Sequence, residues 1–107
     1  MKAVICGELF DGTGLTLKSD WTLFIDKEEI ISSHPTSDRE IPLDAEVIDA
    51  REFTVIPGLI DCHDHIASFG YEIAGRWGLT EQQSHRHMRI ASTLHQTLQT
   101  GYTTIRD

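Results

Sequence analysis

The sequence predicts an α/β chain, with antiparallel strands over residues 1–56 and a strand, loop, helix and strand over 57–107, the order of a βαβ unit. Three observations carry this. Before Pro57 the apolar residues fall in short β-prone runs separated by turn clusters. After Thr80 they recur at helical spacing. From Tyr102 the composition is β-branched again.

In order, Ala3 to Leu9 is a strand and Asp11-Gly12-Thr13-Gly14 a turn. Thr22-Leu23-Phe24-Ile25 and Ile30-Ile31-Ser32-Ser33 make a hairpin about the polar turn Asp26-Lys27-Glu28-Glu29. Pro35 to Asp38 is loop, since proline cannot donate to a ladder. Further strands are expected at Glu46-Val47-Ile48-Asp49 and at Phe53-Thr54-Val55-Ile56, before the break Pro57-Gly58. Leu59-Ile60-Asp61-Cys62-His63-Asp64-His65 starts apolar and ends in metal-binding side chains. Ile66 to Leu79 reads as a loop. Thr80-Glu81-Gln82-Gln83 has the form of a capping box. Met88, Ala91, Leu94 and Leu98 then share one helical face, and Gly101 ends the helix. Tyr102-Thr103-Thr104-Ile105-Arg106-Asp107 is the second strand of the unit, which requires parallel pairing.

Composition excludes several classes. The chain has 107 residues, 39% of them hydrophobic and 24% charged, which is ordinary for a globular domain and not for a disordered one. A net charge of −8, with nine scattered basic residues, argues against a nucleic-acid surface. No apolar stretch approaches the roughly 20 residues of a membrane span, and the start lacks the form of a signal peptide. A cytoplasmic location is therefore expected, with Cys6 and Cys62 as reduced thiols.

The chemistry concentrates at His63 and His65. On a strand, side chains two apart project to the same face, so two imidazoles about 6 to 7 Å apart at Cα converge on one divalent ion, with zinc the natural choice. Asp61 shares that face, while Cys62 and Asp64 point away, Cys62 as a small packed residue. Two roles are open to Asp61: orienting a ligand histidine, or accepting backbone N–H groups. Arg106 and Asp107 are read as an ion pair or as part of the mouth of the site. His85 and His87 repeat the spacing within a helix, where they diverge by about 200° and cannot chelate one ion. They, His34 and His95 are read as surface or packing residues. Phe69, Tyr71 and Trp77 lie in the loop that would overhang the site.

Pro57-Gly58-Leu59-Ile60-Asp61-Cys62-His63-Asp64-His65 resembles the Pro-Gly-x-(Ile/Val)-Asp-x-His-x-His hallmark of the amidohydrolase superfamily. Val47-Ile48-Asp49-Ala50 matches the usual approach to it. Gly101-Tyr102-Thr103-Thr104-Ile105-Arg106-Asp107 is similar to the start of the second barrel strand in imidazolonepropionase-like members and Xaa-Pro dipeptidases. The departures are the missing glycine in the Asp26–Glu29 hairpin and Glu52 where glycine is common.

The resemblance implies a small β-sandwich, the composite domain, over 1–56, and the first βαβ unit of an incomplete (β/α)8 barrel over 57–107. It implies His63 and His65 as metal ligands and one or two zinc or other divalent ions in a complete site. The remaining ligands, a lysine, two histidines and an aspartate that serves as general base, are expected beyond Asp107, so no catalytic residue is assigned here. The implied activity is hydrolysis of carbon–nitrogen bonds in a small amide or dipeptide substrate by metal-activated water. The 107-residue chain is expected to be part of such an enzyme and inactive alone. The alternatives are a non-catalytic truncated remnant and a metal-binding fragment, the latter disfavoured because structural zinc takes four ligands.

Overall fold

The computed structural model describes residues 1–67 and 82–107. Phe69, Tyr71, Trp77 and Thr80, with most of the loop expected from Ile66 to Leu79, lie outside the described residues. The chain divides into two compact units, Met1–Pro57 and Gly58–Asp107.

The first unit is a four-stranded sheet of β1 (Lys2–Leu9), β2 (Lys18–Asp26), β3 (Glu29–Pro35) and β4 (Glu46–Val55), in the order β3-β2-β1-β4. β1 with β2 and β2 with β3 are antiparallel. β1 and β4 are parallel, so the sheet is mixed, and the expectation of antiparallel strands throughout is corrected. Alternation and turn residues locate strands but say nothing of direction. Here the stretch 36–45 carries the chain from one edge of the sheet to the other, and β4 enters alongside β1 in the same sense.

The two strand segments expected around residues 46–56 form a single strand, β4. Cys6 lies opposite Ala50 and Glu8 opposite Thr54, so the register shifts between them. That bulge explains the two segments, because it breaks the alternation that marks a continuous strand.

Both faces of the sheet carry apolar packing. Val4 lies opposite Leu23 and Cys6 opposite Trp21, and the buried cluster of Cys6, Leu9 and Leu23 packs with Val4, Trp21 and Val55. On the other face Ala3 lies opposite Phe24 and Ile5 opposite Thr22. Phe24 is fully buried, under the Arg39 guanidinium at 4.6 Å and the His34 ring at 6.4 Å. Burying one such side chain contributes about 2–3 kcal/mol. The buried Thr22 hydroxyl is paired with Thr36 Oγ1 at 3.0 Å, which spares it an unmet hydrogen bond. Pro35 ends β3 rather than starting a loop, which is tolerated because β3 is an edge strand.

The second unit holds β5 (Leu59–Asp61), α1 (Gln83–Gln99) and β6 (Tyr102–Ile105). β5 and β6 pair in parallel, with the helix between them in sequence. The pairing continues beyond β5, where Arg106 N donates to Asp61 O at 2.8 Å and Asp64 N to Arg106 O at 2.9 Å.

Gly101 closes the helix as expected. Its φ of 95° lies in the left-handed region, and its N–H reaches Leu98 O at 3.0 Å. The helix starts at Gln83 with Gln82 extended before it and no side-chain cap. The face shared by Met88, Ala91, Leu94 and Leu98 is not its less exposed one. Met88, Leu94 and Leu98 are exposed, and the half-buried residues are Arg89, Ile90, Thr93 and Thr97. No described helix is long and apolar enough to cross a membrane.

Candidate metal centre

β5 ends at Asp61, with a bend at Cys62 and His63, and Asp64 and His65 follow it outside regular secondary structure. The cause is local. Asp61 Oδ1 accepts the N–H of His63 at 3.0 Å, a turn of the Asx kind that competes with the strand ladder. Of the two roles open to Asp61, the structure therefore supports acceptance of a backbone donor. Asp64 Oδ1 does the same for the N–H of His65 at 2.7 Å.

The two imidazoles meet. His63 Nε2 lies 3.0 Å from His65 Nε2, with ring centroids 4.8 Å apart and planes at 87°. Which nitrogen donates across that contact depends on the tautomers of the two rings. Two nitrogens bound to one tetrahedral zinc at about 2.0–2.1 Å lie about 3.3–3.4 Å apart. The observed pair is within a few tenths of an ångström of that, and both side chains are exposed. The residues present fit a divalent ion held by two imidazoles.

The surroundings are polar. Cys62, His63, Asp64, His65, Arg106 and Asp107 line a recess of about 220 Å³. Cys62, expected as a small packed residue, is exposed. Both cysteines are free thiols, and burial of Cys6 raises its pKa above the ordinary 9.0. Among the described residues no three His, Cys, Asp or Glu side chains gather as a metal cage. His85, His87 and His95 are exposed on α1, away from any such grouping among the described residues.

Sequence reasoning left the role of Asp107 open, and here its carboxylate Oδ1 lies 3.9 Å from His65 Nδ1. The signal that locates it is the parallel register. If the strand after the helix pairs with the strand before the histidines, its last residues come level with them.

No protein-family model and no curated protein matches the chain. Solved structures do. The matches belong to the amidohydrolase superfamily, and the resemblance carried by the Pro57–His65 motif is thereby met in the fold as well. Among them, a prolidase complexed with N-methylphosphonate-L-proline superposes with a TM-score of 0.80 at 28% identity, over 99% of this chain and 25% of that one. Molinate hydrolase gives 0.80 at 25% identity, over 96% of this chain and 22% of that one. A Xaa-Pro dipeptidase with methionine bound in its active site gives 0.80 at 24%, over 98% and 25%, and at that identity speaks for the fold alone. The chain spans about a quarter of the length of the structures that it matches.

Proposed function

We propose that this chain forms the metal-binding start of a metal-dependent amidohydrolase, with His63 and His65 as ligands to zinc or another divalent ion. The parallel β5–β6 pair and α1 are then the opening of a (β/α)8 barrel, and the first four strands are part of its flanking β domain. The observation that carries the reading is the convergence of the two Nε2 atoms at 3.0 Å, within the segment that bears the superfamily motif.

The substrate class is a small amide or dipeptide, with cleavage of a carbon–nitrogen bond. The prolidase among the structural neighbours supports dipeptides as the first substrates to try. A divalent ion at this site supplies Lewis acidity, which polarises a carbonyl and makes water nucleophilic near neutral pH. The chain's own residues hold the ligands in place. Asp61, before the pair, and Asp64, between the two histidines, accept the backbone N–H groups of His63 and His65. Two imidazoles fall short of the three protein ligands of an ordinary catalytic zinc site. The 107-residue chain accordingly binds metal weakly and does not turn over substrate by itself.

Zinc titration of the chain, followed by calorimetry, tests this. Weak, saturable binding that disappears in the double variant His63→Ala, His65→Ala is expected. Equal binding by both proteins removes the site. In an assay with Xaa-Pro dipeptides the chain alone is expected to stay at background, and turnover abolished by a chelator contradicts that.

A further inference from the structure

We propose that Asp107 is a positioning residue for His65, holding the imidazole in the tautomer that carries its proton on Nδ1 and leaves the Nε2 lone pair free for a metal. This deepens the metal reading above and rests on it for its purpose. The two ring nitrogens of His65 face different groups: Nδ1 faces Asp107 Oδ1 at 3.9 Å, and Nε2 faces His63 Nε2 at 3.0 Å. An ionised carboxylate only accepts, so it favours the proton on the nitrogen turned towards it. An Nε2 that kept the proton could not coordinate. Metal-binding histidines regularly have their far nitrogen oriented in this way by a carboxylate.

Asp107 is the carboxylate in position to do so. The nearer ones in sequence are engaged, Asp61 with the N–H of His63 and Asp64 with the N–H of His65. The backbone bonds of Arg106 to Asp61 and Asp64 fix the residue just before Asp107 against the histidine turn. The separation of 3.9 Å is longer than a hydrogen bond, so the carboxylate acts through the attraction of its charge for the Nδ1–H dipole of the neutral ring.

The experiment is 15N-correlated NMR of the His65 ring in the full chain, together with zinc affinity, for wild type, Asp107→Ala and Asp107→Glu. Wild type is expected to show the Nδ1–H form as the main tautomer. Asp107→Ala shifts the ring towards Nε2–H and weakens zinc binding about 10- to 100-fold, and Asp107→Glu restores part of both. Unchanged melting temperatures exclude unfolding as the cause. A ring tautomer that ignores Asp107→Ala overturns the proposal, whatever zinc does. A tautomer shift in a protein that binds no zinc upholds the Asp107 contact and overturns the metal reading alone.

Discussion

His63 and His65 turn their Nε2 atoms to within 3.0 Å of each other from a turn that the Asp61 carboxylate creates. Because one ion would be shared by both rings, their contributions are coupled. Either single variant, His63→Ala or His65→Ala, is expected to lose nearly as much zinc affinity as the double variant, since one exposed imidazole binds no better than a free one. Competition titration with a zinc dye measures this. Single variants that each keep half the binding free energy would show two independent sites instead. Both side chains are exposed, so thermal stability should stay within about 0.5 kcal/mol of wild type.

Gly58 of the motif is required by packing rather than by chain flexibility. A Cβ there would run into the Thr103 side chain on β6, reaching its Cβ as well as its outer atoms. Gly58→Ala forces β5 away from β6 and is expected to cost about 1–3 kcal/mol, as overpacking does. Denaturant unfolding of Gly58→Ala reads the loss. Gly58→Ala combined with Thr103→Ser, which removes the Cγ2 methyl but keeps the hydroxyl, should recover part of it. An additive double variant would sink the steric explanation.

How much of this was legible in the sequence follows from what each signal encodes. The strands and the helix were readable because apolar spacing and turn residues are local, and Gly101 ends the helix where its missing Cβ allows it. The direction of β4 was not, since parallel and antiparallel strands share one alternation. The less exposed face of α1, with Arg89, Ile90, Thr93 and Thr97, was not readable, since Met88, Leu94 and Leu98 carry the helical period and are exposed. The histidine pair was located by its motif. What the spacing did not disclose is the hydrogen bond from the His63 N–H to the Asp61 carboxylate beside the pair. Asp107 was read as an ion-pair partner or part of the mouth of the site, but its nearness to His65 was not legible because it depends on the register of two strands about forty residues apart.

The hairpin between β2 and β3 lacks glycine, and Lys27 takes up the strain with a φ of 54°. A left-handed conformation costs a residue with a side chain about 1–2 kcal/mol. Lys27→Gly is therefore expected to stabilise the first unit by about 0.5–1 kcal/mol, after the greater freedom of glycine in the unfolded chain is subtracted. A rise in melting temperature is the readout. A fall would mean that the Lys27 side chain contributes more than its backbone costs.

Cys6 and Cys62 should differ in reactivity. Cys6 is buried, and burial raises its pKa, so less of it is thiolate at neutral pH. Cys62 is exposed beside the histidines. Titration with an aromatic disulfide under native conditions should label one thiol quickly, and mass mapping should place it at Cys62. Cys6 should react only on unfolding. Equal rates at both sites would contradict the packing of β1.

Acid should loosen the first unit through Asp49 and Asp11. The Arg51 guanidinium and backbone N–H hold the Asp49 carboxyl down at about 2, against an ordinary 3.8. The Lys18 ammonium, with Thr13, pulls Asp11 down as well. A carboxyl whose folded value is depressed contributes stability above its unfolded value and loses it as pH falls through the folded one. The contribution of Asp49 is thus complete above about pH 5 and fades between about pH 4 and 2. Both groups are exposed to solvent and salt, so the effect is modest and shrinks as ionic strength rises. Urea unfolding followed from pH 6 to pH 2.5 should show stability falling, with a shallower fall in Asp49→Asn. Parallel curves for wild type and Asp49→Asn would mean that the Arg51 pairing holds no advantage over the unfolded chain.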